Sequence, residues 1–244
     1  MPYLDVSGHR SYHEITGAGE PLLLLHGGFC SIETMRAMSG ELTPSYLVHA
    51  PERAAHGRTP DHGRAFDYGA MVDETLAYLD AVGLSDAHVV GFSDGAIIGL
   101  LLARDHPGRV RSLVTISGNL DPSGFVTGDR TPSAAWQAAS AQIDREYDEL
   151  SPDGPEHAPV VTERLMALWT QQPQIVPASL AGVTARTLVM AGDRDSISTE
   201  HTLTIASAVP DAQLCIVPGA SHLLVVERPG LVGRIVHDFL QERP

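Results

Sequence analysis

Gly91-Phe92-Ser93-Asp94-Gly95 sets two glycines around a serine in the pattern G-x-S-x-G. The pattern is short, and its surroundings give it weight. An apolar run, His88-Val89-Val90, precedes it, and a second, Ala96-Ile97-Ile98, follows. Such an arrangement reads as a strand turning sharply into a helix, with small residues where the backbone crowds. The turn lifts the Ser93 hydroxyl into the open. It also leaves the Asp94 N–H at the positive end of a helix, where it can receive a developing oxyanion.

A serine hydroxyl is a weak nucleophile at neutral pH and needs a base, which in turn needs an orienter. Of the twelve histidines, His222 stands out: Pro218-Gly219-Ala220-Ser221-His222 follows the last apolar strand pattern. His9, His13, His106, His201 and His237 fall within strand or helix patterns and read as surface residues. Gly192-Asp193-Arg194-Asp195 follows another apolar run and offers two carboxylates. Asp195 is the expected acid, because Asp193 lies nearer the strand and suits a turn. The second oxyanion donor is expected from His26-Gly27-Gly28-Phe29, after Leu22–Leu25, with the Gly28 N–H first and the Phe29 N–H as fallback.

Around these residues several readings stay open. The Asp94 carboxylate either attracts a cationic group such as an α-amine, or turns away to bond backbone or an arginine. Phe29, Phe125, Trp136, Met166 and Trp169 either line an apolar substrate pocket or fasten helices to the core. His49, His56 and His62 with Glu52 and Asp61 lack the spacing of a zinc site, so no metal is expected. Cys30 reads as a small buried residue.

The elements that must position this chemistry alternate strand and helix, as in α/β proteins. Strand patterns run Tyr3–Val6, Ser11–Thr16, Pro21–Leu25, Tyr46–Ala50, Ala87–Gly91, Val110–Ile116, Thr187–Ala191 and Gln213–Val217. Continuous apolar runs such as Leu22–Leu25 and Leu188–Ala191 suit parallel strands covered on both faces. The first two strands, joined near Ser7-Gly8, read as the one antiparallel pair. Helical patterns cover Tyr68–Val82, Ala96–Ala103 and Leu231–Leu240. From about Leu120 to Val183 no strand pattern occurs. Helices are expected there at Ser133–Leu150 and Val160–Gln171, with a short one near Ala178. The spacing therefore predicts a core of residues 1–119 and 184–244 with a helical cap at 120–183.

Composition narrows the chemistry. Among 244 residues, 30 acidic and 16 basic side chains give a net charge of −14, and all the basic ones are arginine. With no lysine there is no Schiff base, pyridoxal phosphate anchor, P-loop lysine or Ser-Lys dyad. The charge disfavours nucleic acid and anionic membranes as partners. No apolar run approaches the ~20 residues of a membrane span. With no secretory pattern at the N-terminus and only two distant cysteines, a cytoplasmic protein is the expectation.

His26-Gly27-Gly28, His56-Gly57-Arg58-Thr59-Pro60-Asp61, Gly91–Gly95, His106-Pro107-Gly108-Arg109-Val110, Gly192–Asp195 and Gly219–His222 together resemble the α/β-hydrolase superfamily. The Ser-Asp-Gly elbow and the His-Gly-Arg-Thr-Pro-Asp loop are most similar to its valacyclovir hydrolase-like and small carboxylesterase branches. Arg53-Ala54-Ala55-His56 departs from the usual Arg-Gly before this His-Gly. The resemblance implies a mostly parallel sheet of about eight strands with helices on both faces, and the chain order Ser93, Asp195, His222. The serine argues against the dehalogenase and epoxide hydrolase members, which use aspartate. The resulting expectation is a cofactor-free hydrolase of small carboxylic esters or lactones acting through an acyl-serine. Carbon–carbon bond hydrolysis or a lyase reaction on the same triad, and a ligand-binding receptor with a vestigial triad, are the alternatives. The oligomeric state is not legible.

Overall fold

The computed structural model describes residues 2–127 and 131–242, so residues 128–130 of the expected cap and Met1 lie outside the described residues. Eight strands form one sheet: β1 (Tyr3–Val6), β2 (His9–Gly17), β3 (Glu20–Leu25), β4 (Tyr46–Pro51), β5 (Ala87–Phe92), β6 (Val110–Ile116), β7 (Arg186–Arg194) and β8 (Gln213–Ser221). Their order is β1-β2-β4-β3-β5-β6-β7-β8. The reading of a single antiparallel pair needs correction. β2 runs against the other strands, and a reversed strand inside a sheet has two antiparallel edges. It pairs with β1 on one side and with β4 on the other. From β4 onward every pairing is parallel.

The helices are α1 (Ile32–Ser39), α2 (Tyr68–Ala81), α3 (Asp94–Asp105), α4 (Ala134–Leu150), α5 (Ala158–Gln171), α6 (Thr199–Ala208), α7 (Leu224–Glu227) and α8 (Pro229–Gln241). Side chains alternate across β3, so Leu23 and Leu25 join the core under α2, α3 and α6. Leu22 and Leu24 join the core under α1 and α8. Both faces of the sheet are therefore covered. α3 lies against the sheet centre and is buried on nearly all sides, which is why Ala96–Ala103 shows no polar stripe. The sequence pattern did not show α1. Its start is fixed by the Ser31 hydroxyl, which accepts from the Glu33 N–H, while the Ser31 N–H donates to Thr34 Oγ1.

Between β6 and β7 the described residues contain α4, α5 and short 3-10 turns, and no strand of the main sheet. Near Ala178 the turn is a 3-10 segment, Pro177–Gly182. Partly buried carboxylates tie these helices to the sheet domain. Glu146 of α4 accepts from the Ser31 and Thr34 hydroxyls. Asp61 accepts from His157 and pairs with Arg164 of α5. No described helix is long and apolar enough to cross a membrane.

Candidate active site

Ser93 ends the turn from β5 into α3 with φ 52° and ψ −114°, a left-handed conformation that a non-glycine residue adopts only when its surroundings impose it. Its N–H donates to Ile116 O at 2.8 Å, so the end of β6 holds the turn. The flanking glycines are obligatory on steric grounds. A Cβ on Gly91 would lie 2.1 Å from Gly95 O, and one on Gly95 would lie 2.2 Å from Leu25 O.

His222 follows the last residue of β8, and Asp195 follows the last residue of β7, both at carboxyl ends of parallel strands. His222 Nε2 lies 3.0 Å from Ser93 Oγ, and His222 Nδ1 lies 2.7 Å from Asp195 Oδ1. Asp195 is 2 % exposed. Its Oδ1 also accepts from the Ile197 N–H at 2.9 Å, and its Oδ2 accepts from the Ser117 hydroxyl at 2.5 Å. Burial opposes charge on both partners, and their mutual attraction overcomes it. The Asp195 pKa is accordingly lowered. The His222 pKa is raised above 6.5 by the charge and hydrogen bond of Asp195, with a further contribution from Asp94. Glu227 fixes the loop before His222 by accepting from the Ser221 N–H and hydroxyl. Asp193 instead accepts from the Gly219 N–H at 2.7 Å and bridges the ends of β7 and β8.

On the other side of Ser93 lies the loop His26–Phe29. A Cβ on Gly28 would lie 2.6 Å from both Asp94 Oδ2 and Trp169 Cζ2, so this close approach requires glycine. The Gly28 and Phe29 N–H groups make no hydrogen bond among the described residues. The Asp94 N–H is the first of α3, where a helix leaves its donors unpaired. Asp94 is 1 % exposed. Among the described residues its side chain bonds neither backbone nor arginine. Oδ1 accepts from the Tyr68 hydroxyl at 2.8 Å and from Trp169 Nε1 at 2.9 Å, whereas Oδ2 has no partner among the described residues.

The other expected residues divide. Phe29 stacks on Tyr147 of α4 with ring centroids 4.6 Å apart. Trp136 lines a cavity of about 570 Å³ together with Ser133, Arg194, Asp195, Ser221 and His222. Phe125 is half-buried and bridges to Ile197, two residues beyond Asp195. Met166 is not brought to the site and is 50 % exposed. α5 buries Val161, Leu165 and Leu168, and position 166 falls off that face. The histidines and carboxylates of residues 49–62 diverge. His56 bonds Ala54 O, Glu52 pairs with Arg58, and His62 stacks on His9. Among the described residues no three His, Cys, Asp or Glu side chains gather as metal ligands. Cys30 is buried and its thiol is pushed up to about 12 by burial. Ser117 and Tyr68 escaped the sequence reading. Ser117 follows the end of β6 just as Asp195 follows β7, and that placement was the available signal.

Residues 22–234 match the Alpha/beta hydrolase family. The chain belongs to that family. Proteins similar to it carry names for different chemistries. A chain of Azorhizobium caulinodans provisionally named carbamate hydrolase RutD is 26 % identical, covering 99 % of each chain. The 2-hydroxymuconate semialdehyde hydrolase of Pseudomonas sp. strain CF600 is 28 % identical over 97 % of this chain and 92 % of its own. The enol-lactonase from Burkholderia xenovorans LB400 superposes with a TM-score of 0.78 at 18 % identity, covering 99 % of this chain and 100 % of its own. The family places the protein among hydrolases with this fold, and fold membership leaves the bond that is cut open.

Proposed function

We propose that this alpha/beta hydrolase cleaves carboxylic esters or lactones of small molecules through an acyl-serine intermediate. The observation that carries the reading is the continuous chain Ser93 Oγ, His222 Nε2, His222 Nδ1, Asp195 Oδ1, with contacts of 3.0 and 2.7 Å. In this reading His222 takes the Ser93 proton as Oγ attacks the carbonyl carbon. Asp195 holds the tautomer with its proton on Nδ1 and stabilises the imidazolium. The N–H groups of Gly28 and Asp94 receive the oxyanion, with Phe29 as the alternative to Gly28. The imidazolium then protonates the leaving alkoxide. A water deprotonated by His222 releases the acid and restores Ser93. Residues 120–183 act as a cap, with Phe29, Trp136, Trp169 and Phe125 towards the substrate.

A second reading is carbon–carbon bond hydrolysis on the same residues. The substrate named for the Pseudomonas relative contains no ester, and extra polar groups beside the carbonyl would suit it. Among the described residues Asp94 Oδ2 is buried beside the Gly28 loop without a partner. A fluorophosphonate probe mapped by peptide mass spectrometry, followed by turnover assays on aryl esters, lactones and vinylogous 1,5-diketones, tests both readings. The expected outcome is a label on Ser93 and multiple turnovers on esters or lactones. Ser93→Ala should cut kcat by roughly 10⁶. A label elsewhere, or turnover surviving that change, removes Ser93 from the mechanism. Turnover of the diketone alone selects the second reading, and capture of one equivalent without turnover makes the protein a receptor.

A further inference from the structure

Behind the His26–Phe29 loop lies Arg53, a cation only 7 % exposed. It makes no ion pair among the described residues. Its guanidinium instead donates to two backbone carbonyls, from Nη1 to His26 O at 2.7 Å and from Nη2 to Gly27 O at 3.0 Å. A third bond joins the same partners, because the Arg53 N–H donates to His26 Nε2 at 3.1 Å. The His26 ring therefore carries its proton on Nδ1, which lies 2.7 Å from Gly27 O and donates to it. Burial, followed by the Arg53 charge, holds the His26 pKa well below its usual value, so the ring stays neutral in this role. Dehydrating a guanidinium is costly, and two carbonyl acceptors replace only part of its hydration.

The direction of these bonds matters. In a trans peptide the C=O and the following N–H point in opposite directions. The one cis bond among the described residues is Gln172-Pro173, so the Gly27–Gly28 peptide is trans. A guanidinium on Gly27 O thus fixes where the Gly28 N–H points. It also draws electron density from that amide, which makes the N–H a stronger donor. We propose that Arg53 is a positioning residue for the oxyanion site: it clamps the His26 and Gly27 carbonyls so that the Gly28 N–H faces the substrate oxygen, and its charge favours negative charge developing there. This inference rests on the acyl-serine reading above.

The test uses Arg53→Met and Arg53→Lys in the full chain, with a good ester substrate and an aryl trifluoromethyl ketone, which forms a tetrahedral oxyanion adduct on serine. Arg53→Met should lower kcat by about 10², the scale of a lost oxyanion donor, with KM little changed. Ketone affinity should fall by the same factor as kcat/KM. Arg53→Lys keeps the charge and one donor, so its loss should be about 10-fold. If Arg53→Met fails to fold, Arg53→Lys alone decides. Wild-type kcat and ketone affinity in a folded variant overturn the proposal, as does a loss confined to KM. Fluorophosphonate labelling of wild-type Ser93 separates the two claims. Without it the acyl-serine reading itself fails; with it, an indifferent Arg53 variant overturns only the positioning role.

Discussion

Ser93 stands between two groups of buried polar side chains that differ in how completely they are bonded. On the His222 side, both ring nitrogens are in contact and both Asp195 oxygens accept hydrogen bonds. On the Asp94 side, Oδ1 accepts two bonds while Oδ2 accepts none among the described residues. Both carboxylates are almost fully buried, so exposure does not explain the contrast. A carboxylate saturated by its own protein can orient a neighbour and has no capacity left for a ligand. One with a buried oxygen unpartnered among the described residues carries a desolvation cost that a ligand's donor would relieve. On the proposed reading, the first group orients a base and the second selects what enters.

The strongest way to break the comparison is Asp195→Asn. It keeps the shape but reverses the preferred tautomer of His222, and the expected loss in kcat is about 10⁴. The pH profile gives a second readout. On the proposed reading neutral imidazole is the base, so kcat/KM falls as pH drops through the His222 pKa, which burial opposes and the Asp195 charge raises. Without the Asp195 charge, burial is no longer outweighed, and the acid limb should move to lower pH. A limb that stays in place would mean that another group titrates.

Asp94→Asn tests the opposite side with a smaller effect. An asparagine can still accept from Tyr68 and Trp169 through its oxygen, and it replaces Oδ2 with an amide that attracts no cation. If Oδ2 receives a cationic donor, kcat/KM on α-amino esters should fall by about 10- to 100-fold relative to neutral isosteres, the range of a charge-assisted bond. Equal losses on both substrates would show that Asp94 supports the site without choosing between them.

The two sides also differ in how far the sequence revealed them. Ser93, Asp195 and His222 each follow an apolar run ending at the carboxyl edge of the sheet, and glycines mark each turn, so local pattern and chain order sufficed to single out three side chains that the fold brings together. The partners were invisible for a physical reason. Ser117 meets Asp195 across 78 residues, and Tyr68 meets Asp94 from the start of another helix, so neither bond leaves a local periodicity. Met166 was chosen by residue type, and the helical face decided against it. The sheet was legible in its buried strands. The second pairing of β2 was not, because a half-exposed strand carries no mark of which neighbour it joins. α1 was missed because eight residues hold too few turns to establish a stripe.

Ser117→Ala should give the smallest effect and sharpens the comparison most finely. It removes the donor to Asp195 Oδ2 and leaves Oδ1 bonded to His222 and the Ile197 N–H, so the acid keeps its orientation. The expected loss is about 10-fold in kcat with KM unchanged, at the lower end of what a hydrogen bond to a charged group contributes. The hydroxyl helps to lower the Asp195 pKa. Its removal makes Asp195 more basic, binds the imidazolium more tightly and shifts the acid limb of kcat/KM to higher pH, opposite in sign to Asp195→Asn. Opposite shifts from two changes on one carboxylate are not produced by general loosening of the fold. An unmoved limb with wild-type kcat would assign Ser117 to the packing of β6 against β7 alone.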